Sequence, residues 1–211
     1  MRMEDILDLY EQPYAPDYPQ LCFDERPCQL LGDKLLPLPM KPGNAYRYDY
    51  HYERHGTCCL FVAVEPLTGF RFVQVRAQRT KVDYAAFMQA LTELPRYAHV
   101  KGFRLVQDNL NTHDAGAFYQ AFDPETARQL KQKFAYHYTP TNASWLNMAE
   151  IELSAISKQC LARRIPTQAL LEQEVLACVK ERNEKAIKIT WQFTTHDARE
   201  KLQRHYNTIK N

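Results

Sequence analysis

Apolar residues in this chain come as brief runs separated by turn chemistry or by helix-period segments, and that order admits few folds. Leu21-Cys22-Phe23 is the first run and ends in Asp24-Glu25. Cys59 to Val64 is a second, Pro66 to Gly69 supplies a turn, and Phe70 to Val75 reads as the returning strand. Thr80 with Asp83 forms a capping box, and Tyr84, Phe87, Met88, Leu91 and Leu94 make one apolar helical face. Phe103 to Gln107 is a further strand, ending in Asp108. Helices are expected near Asp114 and from Asp123-Pro124, where the proline's missing N–H does no harm in a first turn. Phe134 to Tyr138 is a fifth strand. Helices follow from a Ser144 cap, after Pro166, and near Thr195. The order predicts an α/β domain, a mixed five-stranded sheet flanked by helices. Residues 1–20, with three prolines, read as a linker or N-terminal arm, and 26–57 as irregular.

Of the 211 residues 45 % are apolar, enough for one substantial core, which assigns 21–211 to a single domain. No apolar run approaches the roughly 20 residues that span a bilayer, so no membrane partner is expected. The N-terminus is acidic and rich in Pro and Tyr, unlike a secretory signal, and the cytoplasm is the expected location. Six cysteines without a C-x-x-C pair read as reduced thiols rather than a zinc site. From Lys158 onward, 11 Lys/Arg face 6 Asp/Glu, a net +5, while the remainder has 16 against 19, a net −3. An acidic centre beside a basic flank suits a metal site next to a phosphate-binding surface.

Three carboxylates stand out. Asp24 and Asp108 follow strand ends, and in open α/β sheets neighbouring strand ends are where sites form. Two carboxylates brought together repel, and a divalent cation removes the repulsion. Glu150 falls at helical spacing between Leu146 and Leu153 on the apolar stripe, whereas Glu152 points about 200° further round, toward solvent. An ionised Glu on a core-facing stripe is costly unless paired or coordinated. Carboxylate oxygens suit Mg²⁺ or Mn²⁺, and three of them can support two ions about 3.5–4 Å apart for in-line phosphoryl chemistry.

The segments CFDE, QDNLNTH and YTPTNASWLNMAEIE together resemble the signature of bacterial insertion-sequence transposases of the mariner-like superfamily, whose catalytic domains are called DDE domains. EPLTGF, RTKVDYAAFM and WQFTTHDAREKL extend the resemblance from about residue 20 to the C-terminus. It implies a ribonuclease-H-like fold with Asp24, Asp108 and Glu150 as catalytic metal ligands for two Mg²⁺, with Mn²⁺ able to substitute. It also implies cleavage and strand transfer on double-stranded DNA: terminal inverted repeats and a target, suggested to be a TA dinucleotide. A homodimer on DNA at the bacterial nucleoid is the implied setting. Helix-turn-helix segments precede the catalytic domain in that family, and none is read here. The spacing from Asp108 to Glu150, 42 positions, exceeds the family's usual interval, with the surplus expected around 114–133.

Asn109, His113 and Asn147 are supporting candidates, His113 and Asn109 for orienting ligands or phosphate and Asn147 for placing the Glu150 helix. Trp145 reads as a core anchor. The stretch Arg47, Tyr48, Tyr50, Tyr52, Arg54 mixes cations and rings as single-strand DNA contacts do. Arg163 and Arg164 are further DNA-binding candidates, although a helix C-terminus favours basic residues anyway. Two rival readings share the same residues: a nuclease acting on hybrid or branched nucleic acid, and a non-catalytic, DNA-associating remnant.

Overall fold

A computed structural model describes residues 2–203. Five strands, β1 (Gln20–Asp33), β2 (Tyr52–Glu65), β3 (Phe70–Arg76), β4 (Phe103–Gln107) and β5 (Phe134–Tyr138), form one sheet in the order β3-β2-β1-β4-β5. The first three run antiparallel as a meander, and β4 and β5 join parallel to β1 through helical crossovers. Seven α-helices accompany them: α1 (Arg2–Tyr10), α2 (Lys81–Thr92), α3 (Gly116–Ala121), α4 (Pro124–Lys133), α5 (Met148–Gln159), α6 (Gln168–Glu184) and α7 (Thr195–Lys201).

Strand alternation divides the core. Leu21 and Phe23 of β1, with Cys59, Phe61 and Ala63 of β2, face α2, α3 and α4. The intervening residues face the other way. Leu60, Val62 and Val73 pack on Leu153, Ile156, Leu171 and Val175 of α5 and α6. Cys22, Val64 and Val106 pack on α1 and the start of α5. Several helices begin where a side-chain cap directs. Thr80 and Thr194 close capping boxes with Asp83 and Asp197, and Asp123 accepts from the Glu125 and Thr126 amides ahead of Pro124. The surplus residues between Asp108 and Glu150 hold α3 and α4, as expected.

Two segments depart from the sequence reading. Residues 2–10, expected to be part of a linker, form α1, with Ile6, Leu7, Leu9 and Tyr10 buried. The helix is short, and the proline-rich tract after it masked four apolar residues that satisfy helical spacing. Tyr10 Oη donates to the Leu146 carbonyl at 2.6 Å, so α1 braces the turn that leads into α5. The second departure is 26–57, expected to be irregular. Here β1 continues to Asp33 and β2 starts at Tyr52, paired as far as Asp33↔Tyr52, with a register shift between Gln29 and Leu31. This arm projects past the core, so much of its surface is polar or exposed and carries no apolar period. Pro27 is tolerated because β4 pairs with β1 only over Gln20–Cys22, leaving an edge beyond.

Leu7 is fully buried at the base of α5. Leu7→Ala is expected to lower stability by about 2–5 kcal/mol in urea unfolding, as a cavity-forming core truncation does.

Candidate active site

The parallel register Gln20↔Arg104, Leu21↔Leu105, Cys22↔Val106 brings the ends of two central strands level. Continued by two places, it sets Asp24 beside Asp108. Asp24 shares the face of Cys22, toward α5, and its Oδ1 accepts from the Glu25 amide at 2.8 Å. Asp108 stands one residue beyond β4, where Oδ1 accepts from the Leu110 amide at 3.3 Å. Glu150 lies in the first turn of α5. Burial pushes the Asp24 carboxyl up to about 7, and the charges of Glu25, Asp108 and Glu150 push it the same way. The charges of Asp108 and Glu150 therefore both reach Asp24.

Asn147 stands at the start of α5. Its Oδ1 caps the helix by accepting from the Ala149 amide, and its Nδ2 donates to the Phe23 carbonyl at 2.8 Å. One buried amide thus fixes the start of the Glu150 helix against the residue preceding Asp24. The helix begins at Met148, since Ser144–Leu146 form a separate 3₁₀ turn, and Ser144 is not its cap. Trp145 is half-exposed, stacked on Trp191 with ring centres 6.2 Å apart, and is not a core anchor.

The helical-face argument for Glu150 is overturned. Glu150 is exposed, and Glu152 is the inward residue, 0 % exposed. The apolar stripe runs through Ala149, Leu153 and Ile156, and Glu152 occupies the place one turn below Ile156. Its charge is met by two arginines from outside the helix. Arg182 of α6 donates Nε to Oε1 at 2.7 Å and Nη2 to Oε2 at 2.9 Å. Arg71 of β3 brings Nε within 2.8 Å of Oε1. Burial raises the Glu152 carboxyl, but Arg182 and Arg71 outweigh it and hold the group below its ordinary value. Neither partner lies three or four residues away, so the local sequence could not reveal the pairing.

His113 is buried, 2 % exposed, and both its ring nitrogens meet carboxylates. Nδ1 lies 2.5 Å from Asp108 Oδ1 and Nε2 lies 2.7 Å from Glu25 Oε2. Burial lowers the imidazole's affinity for a proton, yet Asp108 and Glu25 more than offset it, leaving the group raised to about 9. Glu25 was missed by sequence reasoning. Its signal was present: consecutive acids on a strand point to opposite faces, so Asp24-Glu25 serves two neighbours at once. Asn109 is exposed.

The basic candidates lie elsewhere. Arg164 pairs with Asp33 at 2.8 Å, donates to the Tyr50 and His51 carbonyls, and sits against the Tyr48 and Tyr52 rings. Arg163 pairs with Glu174 at 2.5 Å. Arg54 lies over Tyr52, 5.9 Å from its ring centre, and Arg47 bridges to Leu38 in the exposed arm tip with Tyr48. None of these four stands at the acids.

As a donor set, three carboxylates on two strand ends and a helix fit a hard divalent ion, and a carboxyl whose proton affinity is raised by its neighbours is one that a cation would relieve. Among the described residues, however, no three His, Cys, Asp or Glu side chains are already arranged around a single point as a ligand set.

A meander followed by two parallel strands, flanked by helices on both faces, defines a ribonuclease-H-like fold. Residues 19–172 match the sequence profile described as DDE superfamily endonuclease, and the chain belongs to that family. Similar solved structures include a Mos1 mariner paired-end complex with Mn, with TM-score 0.51 and 15 % identity over 88 % of this chain and 59 % of that one. A pre-cleavage Mos1 transpososome gives TM-score 0.51 and 14 % identity over the same shares. The chain thus spans about three-fifths of the length of those proteins. Comparison with curated protein sequences gives no match.

Two predictions follow from the charges. The folded Asp24 carboxyl keeps its proton to about pH 7, against an ordinary value of 3.8, so the folded state binds more protons between these values. That contribution to stability is complete below about pH 4 and lost as pH rises through 7. Without metal, Asp24→Asn is expected to be about 1–3 kcal/mol more stable than the parent at pH 8, the gap closing at pH 4 in denaturant titrations. Glu152→Gln strands two buried guanidinium groups and is expected to cost about 3–5 kcal/mol, read as a lowered thermal midpoint.

Proposed function

We propose that this chain is the catalytic domain of a DNA transposase, cutting the ends of a mobile element and joining the freed 3′-hydroxyls to target DNA. The observation that carries this reading is a half-buried Asp24 at the end of a central strand, its carboxyl raised first by burial and further by the charges of Glu25, Asp108 and Glu150. Family membership and the fold shared with Mos1 support it.

In this reading Asp24, Asp108 and Glu150 hold two Mg²⁺, and Mn²⁺ can substitute. Bound there, the ions would activate the attacking water or 3′-hydroxyl and neutralise the leaving oxygen in an in-line displacement. The protein's part is positional. Asn147 sets the height of Glu150 against β1, and His113 occupies one oxygen of Asp108, leaving the other for ligation. The buried Glu152 cluster keeps α5 from rolling when charge changes at Glu150. Double-stranded DNA, both element ends and a TA-containing target, is the proposed substrate. A homodimer is the proposed assembly. The exposed arm carrying Arg47, Tyr48 and Arg54 is proposed to meet DNA outside the cutting site, with Asn109 facing the substrate at its edge.

Asp24→Asn, Asp108→Asn and Glu150→Gln are each expected to reduce Mg²⁺-dependent nicking of terminal-inverted-repeat DNA by about 10³-fold or more, since a metal ligand supplies several kcal/mol. Circular dichroism should be unchanged. Supplying repeat DNA, an RNA–DNA hybrid and a branched junction side by side tests the substrate. Preferential cutting of hybrid or junction, or near-normal nicking by all three variants, would overturn the reading.

A further inference from the structure

Glu25 is an acid in an unusual place. It is on the face of β1 that carries Leu21 and Phe23, opposite Phe61 of β2, with a side chain only 3 % exposed. An isolated carboxylate there would be expensive. Its Oε2 has a single close cationic neighbour, Nε2 of His113 at 2.7 Å, while Arg79 stands off at 4.0 Å from Oε1 and is largely exposed. The His113 ring is held on every side. It stacks on Tyr84 at 5.1 Å and meets Phe23 edge-on at 5.2 Å. Its backbone carbonyl accepts from Gln107 Nε2 at 2.6 Å, and Gln107 Oε1 accepts from Tyr84 Oη at 2.8 Å. The rings fix the plane of the imidazole, and Glu25 Oε2 makes a close ion-pair contact with Nε2 without an in-line hydrogen bond, so its charge biases the ring's rotation within that plane. Nδ1 is then aimed at Asp108, which hangs beyond the end of β4 and lacks a strand to orient it.

We propose that Glu25 is a positioning residue: through His113 it fixes the Asp108 carboxylate, so that one oxygen is committed to the imidazole and the other is presented to the metal. The idea rests on the metal-binding reading of the acids given above. Carboxylate–histidine pairs that orient a ligand typically change metal affinity about 10–100-fold when broken. Here the order is inverted, since the histidine orients a carboxylate ligand and the second carboxylate orients the histidine.

The test uses the whole chain with Glu25→Gln, Glu25→Leu and Glu25→Asp. Gln keeps an acceptor at the same reach. Leu keeps the volume, and Asp keeps the charge but withdraws it by one methylene. The first readout is the downfield Nδ1 proton and ring ¹⁵N shifts of His113 without metal, and the second is Mn²⁺ affinity followed by the free-ion EPR signal. The expected result is a near-parental resonance and affinity within about threefold for Gln. For Leu and Asp the resonance is lost and affinity falls about 10–100-fold. Leu and Asp variants that keep the parental resonance and affinity would overturn the proposal, as would a Gln variant that loses as much as Leu, because the charge of Glu25 rather than its placement against the ring would then explain both. If the parent binds no Mn²⁺, the metal reading fails, and the His113 resonance still decides whether Glu25 orients the ring.

Discussion

Three residues of parallel pairing between β1 and β4 govern the geometry of the site. They set Asp24 level with Asp108, and because the pairing stops at Cys22, β1 is free to carry Asp24 past the sheet's parallel half into the antiparallel arm. A slip of one residue would exchange Asp24 with Glu25 between the two faces of the sheet. The acid now directed at α5 would then face His113, and the one paired with His113 would face Glu150. Register and chemistry are thus the same constraint. The burial of Leu21 and Phe23 on one face and Cys22 on the other enforces it.

The third acid reaches the site by different means. No strand register positions α5. Asn147 ties its first turn to the Phe23 carbonyl, and Glu152, one turn in, is gripped by arginines of β3 and α6. A buried ion pair of this kind adds little net stability over an apolar contact, but it is unforgiving of rotation, since any roll of the helix leaves charges unpaired. That property suits an element whose outward glutamate must remain in one direction. Glu150 and Glu152 divide the labour: one is held so that the other is placed.

The fold was largely legible because strand and helix periods, caps and turns agreed along most of the chain. Thr80, Asp123 and Thr194 start helices where their side chains imply. Illegible parts had specific causes. The arm beyond Pro27 has no core on one side, so its strands lack an apolar alternation. The helix at Arg2–Tyr10 is too short for its period to stand out beside a proline tract. At the site, Asp24 and Asp108 were visible from strand ends, but Asn147 as the cap of α5 and the orientation of that helix were not. The choice between Glu150 and Glu152 as the inward residue depended on Arg71 and Arg182, distant in sequence, and a helical wheel has no knowledge of them. The charge of Glu150 does reach Asp24, but the argument from an inward-facing stripe describes Glu152.

Arg164 offers a last consequence. It lies in the connection leaving α5 and is stapled to the far arm through Asp33, Tyr50 and His51, while the Leu31 amide donates to the Ile165 carbonyl beside it at 2.9 Å. The arm therefore does not swing as a free flap. These bonds join the arm to the segment that follows the helix bearing Glu150, so displacing one of the two means breaking its bonds to the other.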